Sequence, residues 1–330
     1  MDIKKIFERF QNTQLLVIGD LMVDAYTWGK VNRISPEAPV QIVNVTKKER
    51  RLGGAGNVVL NLLALGAKPI LCSVVGNDQN GMDLKHDFEK KSLNTSGLIL
   101  SNKRITTIKE RIIADGQHLL RVDTEDVHPL LEDEEILLLR NIEHILENAK
   151  IDVVIFEDYD KGCITKNVID YTVELCNHKK IPTIVDPKKR NFCNYKYVTI
   201  FKPNLKELKE GLKLDETVQD PIETAKIGSK ILVSKFGIQN TLVTLSENGV
   251  LTYDGKEYTH IKAHVREIAD VSGAGDTVVS VAALCLAQNL KLNEIGILSN
   301  LAGGLVCEHV GVVPINKQDL YDEAIKIFKK

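Results

Sequence analysis

The sequence predicts an α/β fold of three layers, with a mostly parallel central sheet between helices and a second, small β-sheet that forms a lid. From about residue 131, helical apolar spacing alternates with short apolar runs, which is typical of a parallel sheet with helices on both faces. Residues 13–19 form an earlier apolar run closed by a carboxylate, as expected for a buried strand. Two half-polar stretches, near 31–45 and 104–123, do not fit such a sheet and predict the lid.

Individual elements follow from local signals in the sequence. Residues 40–45 alternate between apolar and polar after two prolines, so we expect an edge or half-exposed strand there. Residues 55–65 have helical spacing and end at Gly66, which suits a helix C-cap. Residues 104–123 predict a hairpin that turns at Asp115 and Gly116. The later helices are predicted at 131–149, 165–179 and 221–236, and the later strands at 152–156, 181–185, 197–201 and 241–245.

Composition excludes several function classes. The 330 residues show no repeat or linker-like tract, so we expect one domain over residues 1–330, with lid strands from about 25–50 and 104–123. A formal net charge of -2 gives no electrostatic reason to expect nucleic acid or an anionic membrane as partner. The sequence shows no signal peptide, and no apolar run approaches the ~20 residues that a membrane span needs. Both observations favour a cytoplasmic protein. Six cysteines without C-x-x-C spacing indicate buried free thiols, with a metal cluster or disulfide framework as the alternative.

The segment with the clearest chemical signal is Asp270-Val-Ser-Gly-Ala-Gly-Asp276, which precedes an almost wholly apolar, helix-competent stretch. Small residues at a helix N-terminus leave backbone N–H groups open, and these groups and the helix dipole favour an anion. The amides of Gly273, Ala274 and Gly275 are therefore candidates to hold a phosphoryl group, and Asp276 is a candidate to accept the proton of an attacking hydroxyl. The alternative is a helix cap with no further role.

This segment resembles the C-terminal signature of the PfkB/ribokinase family of carbohydrate kinases, and the resemblance extends in matching order from Leu15 to about Val313. It implies a ribokinase-like fold, the use of ATP and Mg²⁺, an anion hole at residues 273–275 and Asp276 as catalytic base. Asp20 and Asp24 follow the first strand, where carboxylates can accept hydrogen bonds from sugar hydroxyls, and Asp24 matches an acidic residue that binds the sugar in that family; a loop or cap is the alternative. Gly53, Gly54 and Asn57 resemble its N-terminal Gly-Gly signature, which contacts the sugar; a tight turn with an N-cap is the alternative.

Other motifs match the nucleotide side of the same family. Asn204 and Glu207 form its Asn-x-x-Glu motif, which implies a hydrated Mg²⁺ near the phosphates; the alternative is a helix capping box. Residues 244–249 resemble its nucleotide-binding turn, with Thr244, Ser246 and Gly249 as candidate contacts. Asn300, expected near the start of an apolar helix, matches a position in the adenine pocket.

Four segments resemble the heptose 7-phosphate kinase branch of the family, and one of them contains Asp158, a further candidate substrate ligand. The resemblance implies phosphorylation of D-glycero-D-manno-heptose 7-phosphate at its 1-hydroxyl, giving heptose 1,7-bisphosphate and ADP. Lys109, Arg111 and Arg121 are candidates to hold the far phosphate, with solvated edge-strand charge as the alternative. The segments are Arg33-Ile-Ser-Pro-Glu-Ala-Pro39, Thr106-Thr-Ile-Lys-Glu-Arg111, Gln117-His-Leu-Leu-Arg-Val-Asp123 and Glu157-Asp-Tyr-Asp-Lys-Gly162.

Several alternatives remain open. The sugar could be ribose, fructose, a nucleoside or a similar substrate, and a non-catalytic nucleotide- or sugar-binding regulator is an alternative of another class. A dehydrogenase is disfavoured because no dinucleotide fingerprint follows the first strand. No histidine lies in a His-x-Gly-His motif, so we expect phosphorylation without adenylyl transfer. The half-apolar lid strands predict a homodimer through the lid.

Overall fold

The computed structural model describes residues 2–215, 218–264 and 266–328. The strands are β1 (Gln14–Gly19), β2 (Leu21–Ile34), β3 (Gln41–Gly54), β4 (Lys68–Gly76), β5 (Leu98–Ser101), β6 (Ile108–Ala114), β7 (Gln117–Thr124), β8 (Val153–Glu157), β9 (Thr183–Asp186), β10 (Ile200–Phe201), β11 (Asn240–Thr244), β12 (Val250–Tyr253) and β13 (Tyr258–Ile261). The helices are α1 (Ile3–Arg9), α2 (Ala55–Ala64), α3 (Gln79–Lys90), α4 (Glu132–Asn148), α5 (Lys166–Lys179), α6 (Leu205–Leu212), α7 (Pro221–Phe236), α8 (Ala274–Ala287), α9 (Leu292–Val306) and α10 (Lys317–Phe328).

The predicted fold class is confirmed. Within the described residues, nine strands form the central sheet in the order β13-β12-β11-β10-β9-β8-β1-β4-β5, and only β12 and β13 run antiparallel to their neighbours. Strand β1 shows why both faces must be covered, since Leu15 and Val17 lie in one buried cluster while Leu16 and Ile18 lie in the other. Helices α1–α3 and α8–α10 contribute to the first cluster, and α4–α7 to the second. Burial of each such side chain stabilises the fold by roughly 1.5–3 kcal/mol.

A separate four-stranded sheet, in the order β3-β2-β6-β7, corresponds to the predicted lid. Strand β2 leaves the central sheet directly after β1, with only Asp20 between them. The hairpin of β6 and β7 turns where predicted, and Asp115 and Gly116 both have the positive φ that such a tight turn requires. The strand register places Asp24, Lys109 and Arg111 on one face of the lid, which we call the inner face. Leu120 and Val122 lie on the opposite, outer face.

Some predicted elements differ from the structure. The strand expected over 197–201 is confined to Ile200–Phe201, because Tyr197 adopts a left-handed conformation with φ 58° that a strand cannot contain. The stretch 31–45 contains parts of two paired strands, and the start of the first, at Leu21, was not predicted because its apolar residues continue the pattern of β1. All six cysteines are free, and Cys193 is exposed rather than buried. In the described part of the chain, no helix has the length and apolar composition to cross a membrane.

Candidate active site

The N-terminus of α8 places Asp276 in the first turn of a buried helix, as the sequence predicts. Gly273 is the N-cap and has φ 79°, a conformation that L side chains rarely adopt. The carboxyl group of Asp276 is buried, with only 4% of the residue exposed. Among the amides predicted to hold an anion, that of Ala274 donates to the carbonyl of Val271 at 3.3 Å, so it is already engaged in a weak bond. First-turn amides have no partner within the helix, which leaves Gly275 as the better-placed donor.

Two side chains orient the carboxylate of Asp276. Asn57, at the start of α2, donates from Nδ2 to Oδ2 at 2.6 Å. Tyr159, which follows β8, donates from its hydroxyl to Oδ1 at 2.7 Å. Burial raises the pKa of Asp276 to about 6, although both hydrogen bonds favour the ionised form and lower the pKa. At neutral pH the side chain is therefore an ionised carboxylate held in one orientation, and its pKa is in the range that suits a general base.

Two further buried carboxylates accompany Asp276. Glu157 ends β8 and Asp186 ends β9, and one oxygen from each lies within 4.8 Å of the others and of an Asp276 oxygen. Both carboxyl oxygens of Glu157 and Oδ1 of Asp186 are buried without a hydrogen-bond partner among the described residues. Burial, followed by the charges of Asp186 and Asp276, raises the pKa of Glu157 well above its usual value. The three carboxyl groups together form a buried cluster suited to a bound cation or to shared protons.

Two lysines lie beside the same cluster of carboxyl groups. Lys202 Nζ lies 2.9 Å from Asp186 Oδ2, and Lys188 bonds to Glu207 and lies 3.9 Å from Asp186 Oδ1. Burial lowers the pKa of each lysine, but the neighbouring carboxylates outweigh it, so the pKa of both is raised and both remain cationic. A Cβ atom at Gly275 would lie 3.6 Å from Asp186 and 3.7 Å from Lys202, which places these groups beside the helix N-terminus.

Comparison with known proteins agrees with this geometry. The family model described as pfkB family carbohydrate kinase matches residues 12–318. The chain belongs to the PfkB family. It is an enzyme that acts as a sugar kinase.

Curated relatives of this PfkB kinase are longer than the chain itself. It is 35% identical over 324 residues to the Bifunctional protein HldE of Syntrophotalea carbinolica, covering 97% of the chain and 65% of the relative. It is 39% identical over 311 residues to the HldE of Pelobacter propionicus, covering 94% of the chain and 62% of the relative. The chain thus spans just under two thirds of the length of these relatives. The structure of phosphofructokinase-2 from Escherichia coli in complex with potassium matches with a TM-score of 0.80 and 18% identity, covering 96% of this chain and 99% of that one, which shows the shared fold.

The Asn-x-x-Glu motif of this PfkB kinase forms a capping box. Asn204 Oδ1 accepts from the Glu207 amide at 2.8 Å, and Glu207 Oε2 accepts from the Asn204 amide at 2.9 Å. The other oxygen of Glu207 accepts from Lys188. Because each motif oxygen already has a donor, a role in metal binding through water stays a prediction, and direct ligation would require these bonds to break.

Most of the residues predicted to contact the nucleotide lie at neighbouring strand ends. Thr244, the last residue of β11, forms an isolated bridge with Asn204, which precedes α6. Ser246 and Gly249 both have positive φ, 52° and 85°, which confirms the predicted turn. The expectation that Asn300 lies near a helix start is wrong, since it is the ninth of 15 residues in α9 and donates to the carbonyl of Lys262 at 2.9 Å. Polar residues just before and after Leu292 obscure that start in the sequence.

The residues predicted to contact the sugar divide into two groups by their contacts. Asp24 bonds to Arg111 on the inner face of the lid, and a Cβ atom at Gly53 would lie 2.2 Å from Asp24 Oδ2, so only glycine permits this approach. Gly54, with φ 57°, ends β3 and caps α2, and Asn57 of that helix reaches Asp276. Asp24 and Gly53 thus meet on the lid, and Gly54 joins the lid to the helix that carries Asn57.

Asp20 and Asp158 instead bond to the protein around them. Asp20 accepts three backbone N–H bonds, at 2.8–3.1 Å, from the segment that follows β8. Asp158 accepts from Asn191 and from the Tyr195 hydroxyl, both at 3.0 Å. Burial, followed by the charge of Asp20, raises the pKa of Asp158 to about 7. Both aspartates position the segment that contains Tyr159, and their direct contact with substrate remains a prediction.

Sequence reasoning missed five polar residues that lie around Asp276. Each lies at or just after the carboxyl end of a central strand, where ligands of parallel sheets are expected. That rule was the available signal, but it does not say which polar residues turn inward. The residues are Glu157, Tyr159, Asp186, Lys188 and Lys202.

Proposed function

We propose that this chain transfers the γ-phosphoryl group of ATP to the 1-hydroxyl of D-glycero-D-manno-heptose 7-phosphate, giving heptose 1,7-bisphosphate and ADP. The observation that carries the proposal is the buried Asp276 carboxylate, oriented by Asn57 and Tyr159 beside a glycine-lined helix N-terminus. The choice of heptose rests on the four sequence segments described above and on the curated relatives.

In the proposed reaction, Asp276 accepts the proton of the 1-hydroxyl as its oxygen attacks the γ-phosphorus. The bond between that phosphorus and the β,γ-bridging oxygen breaks, and ADP leaves with its electron pair. A pKa of about 6 suits this task, because the carboxylate is ionised at neutral pH and is still basic enough to accept the proton of the sugar hydroxyl. The transition state is loose, so positioning and charge stabilisation contribute most of the catalysis.

Charge on the moving phosphoryl group would be stabilised from two directions. The N-terminal amides of α8 would donate hydrogen bonds to the phosphoryl oxygens, and that of Gly275 is the best placed. They lie at the end of the helix that favours anions. Lys202 and Lys188 provide ammonium groups near the same point, held in place by Asp186 and Glu207. Fixed donors of this kind require no reorganisation during the reaction, and each commonly contributes about 10²–10³ in rate.

Mg²⁺ is proposed to accompany ATP, and the buried carboxyl oxygens fit it. Oxygen ligands are those that Mg²⁺ prefers, and it keeps several of its waters. The orphaned oxygens of Glu157 and Asp186 would hold the hydrated ion, with Asn204 and Glu207 contributing through water. When bound, the ion neutralises charge on the β- and γ-phosphates.

A substrate panel tests the proposal. ADP formation would be measured with heptose 7-phosphate, unphosphorylated heptose, fructose 6-phosphate and ribose, each with and without ATP. The proposal requires the highest kcat/KM for heptose 7-phosphate and a bisphosphate product. A preference for ribose or fructose 6-phosphate would reassign the substrate within the sugar kinases. Tight ATP binding without turnover of any sugar would favour a regulator.

We also propose that two chains associate through the outer face of the lid in the cytoplasm. Leu120 is 58% exposed and Val122 41%, and they stand side by side on β7. Ile34 and Val45, on β2 and β3, are exposed as well. Such an apolar sheet surface is more stable when a second copy covers it.

A further inference from the structure

Two side chains of the lid bond to the backbone of Val312, in the connection between α9 and α10. The hydroxyl of Tyr26, on β2, accepts from the Val312 amide at 3.1 Å, and Arg51, on β3, donates from Nη1 to the Val312 carbonyl at 2.6 Å. The strand register places both side chains on the inner face of the lid, with Asp24. We call this pair of hydrogen bonds the clasp, and it joins the lid to a segment outside the lid.

The side chains of the clasp are held by their neighbours. Tyr26 is only 1% exposed, and the guanidinium carbon of Arg51 lies 4.9 Å from the centroid of its ring. Arg51 also donates from Nε to Glu49 at 2.7 Å. The aromatic face and the carboxylate together favour one orientation of the guanidinium group. The lid and the Val312 backbone are therefore held in one relative position.

Gly311, the residue before Val312, permits the close approach of the lid. It has φ 74°, and a Cβ atom there would lie 2.9 Å from Arg51 Nη1 and 3.3 Å from the Tyr26 ring. The left-handed conformation and the short distances both disfavour any side chain at this position. The Gly311 amide donates to Asp270 Oδ2 at 2.9 Å. The lid thus bonds to a backbone segment that Asp270 also holds.

The same segment lies against the turn that precedes α8, residues 270–273. A Cβ atom at Gly273, the N-cap of α8, would lie 3.2 Å from Cγ1 of Val312. The other carboxyl oxygen of Asp270 accepts from the Ser272 amide at 2.9 Å. Val312 and Asp270 therefore make two separate contacts with the turn that leads to Asp276. A continuous series of bonded and packed groups connects the lid with the N-terminus of α8.

A second contact between the lid and the rest of the protein leads to a different helix. Arg50, the neighbour of Arg51 on β3, bonds to Asp83 at 3.0 Å and to Asn80 at 2.8 Å, both on α3. A residue that only anchors the lid should therefore behave as Arg50 does. A residue that positions the N-terminus of α8 should in addition affect the transfer of the phosphoryl group.

We propose that Tyr26 and Arg51 are positioning residues for phosphoryl transfer, because through Val312 they fix the turn before the α8 amides that hold the transferred group. This proposal rests on the proposed function. The effect passes from Val312 to Gly273, so neither lid residue has to touch a substrate. A displacement of about 1 Å near a reacting centre can lower the rate about 10²-fold, so loss of the clasp should be seen in kcat.

Steady-state kinetics of single and double variants test the proposal. Arg51→Met is expected to lower kcat by about 10- to 100-fold and to leave the KM for ATP within about twofold of wild type. Tyr26→Phe removes only the hydroxyl and should act in the same direction, and Arg51→Lys should restore part of the loss. Because both changes break one clasp, the double variant should lose about as much as the weaker single variant, not the product of the two losses.

Two controls match these substitutions. Arg50→Met removes the contact with α3, and Tyr253→Phe removes a hydroxyl that bonds to the Gly255 carbonyl at 2.9 Å, away from the clasp. Both should leave kcat unchanged. Equal losses of kcat in Arg51→Met and Arg50→Met would mean that each arginine only anchors the lid, and would overturn the proposal. A loss confined to the KM for the sugar would overturn it as well.

Amide hydrogen exchange tests the clasp without turnover. In Arg51→Met, the amides of residues 270–276 and 308–313 should exchange faster than in wild type, whereas in Arg50→Met they should not. This result would support the clasp even if wild-type protein phosphorylates no sugar, in which case only the proposed function fails. Unchanged exchange of both segments in Arg51→Met would refute the clasp and leave the kinase assignment standing.

Discussion

The hydroxyl of Tyr159 donates a 2.7 Å hydrogen bond to Asp276, which couples the segment after β8 to helix α8. The same ring lies 4.9 Å from Lys109 on the lid and 5.3 Å from Lys188 beside Glu207. One side chain therefore contacts the proposed base and two cations from different parts of the fold. Tyr159 and Asn57 each donate to one oxygen of Asp276, so both residues orient its carboxylate.

Replacement of Tyr159 by Phe should weaken the base without unfolding the site. The hydroxyl stabilises the ionised carboxylate, so its loss is expected to raise the pKa of Asp276 above about 6, by about one unit. The acid limb of the kcat–pH profile should move to higher pH by the same amount. Tyr171→Phe is the control, because that hydroxyl also bonds to a carboxylate, Glu143 at 2.6 Å, outside the site. An unshifted acid limb in Tyr159→Phe would contradict the positioning role.

The wild-type enzyme should lose activity in mild acid. Burial raises the pKa of Asp276 to about 6, so the base is ionised above that pH and protonated below it. We expect kcat to be nearly constant above pH 7 and to fall about tenfold per unit well below pH 6. Initial rates between pH 4.5 and 8.5, with the coupling enzymes shown not to limit, would measure this profile. A kcat that stays constant down to pH 5 would be incompatible with the account.

Two arginines of the lid should differ in their effect on stability. Arg111 and Asp24 have side chains only 14% and 6% exposed, so Arg111→Met leaves a buried carboxylate without its partner. This change is expected to lower the free energy of unfolding by up to about 3 kcal/mol. Arg121 is 57% exposed, and Arg121→Met should cost less than about 1 kcal/mol. Urea unfolding of both variants measures the difference, and equal midpoints would show that burial of the Arg111 pair is irrelevant to stability.

A charge on the outer face of the lid should separate the proposed dimer. Leu120→Asp places a carboxylate in the exposed apolar surface of β7, where a second copy would bury it without a partner. Light scattering should give a dimer mass for wild type and a monomer mass for the variant at the same concentration. Ile136→Asp, at an exposed isoleucine on α4, is the control and should leave the mass unchanged. A monomeric wild-type protein would remove the proposal.

The elements that the sequence predicted well are those with local signals. The glycines before Asp276 and the apolar run after it are contiguous, so both the helix and the place of Asp276 in its first turn could be predicted. The turn at Asp115 and Gly116 was predicted for the same reason, because adjacent residues determine its conformation.

The partners of the base could not be predicted in this way. Tyr159 lies 117 positions from Asp276 and Asn57 lies 219 positions away, so their hydrogen bonds exist only once the strands and α2 have packed. The pairing of Arg111 with Asp24 likewise depends on the parallel register of β2 and β6. Sequence alone identifies the cationic residues of the lid, but it does not show which of them already form an ion pair with a carboxylate.

The most direct test of the proposed mechanism is Asp276→Asn, because this change keeps the size of the side chain and removes its basicity. Turnover with the preferred sugar is expected to fall by about 10²–10⁴-fold while ATP still binds, as measured by titration. Asp87→Asn, the same substitution at an exposed aspartate of α3, should leave turnover unchanged. Near-wild-type turnover by Asp276→Asn would contradict the account.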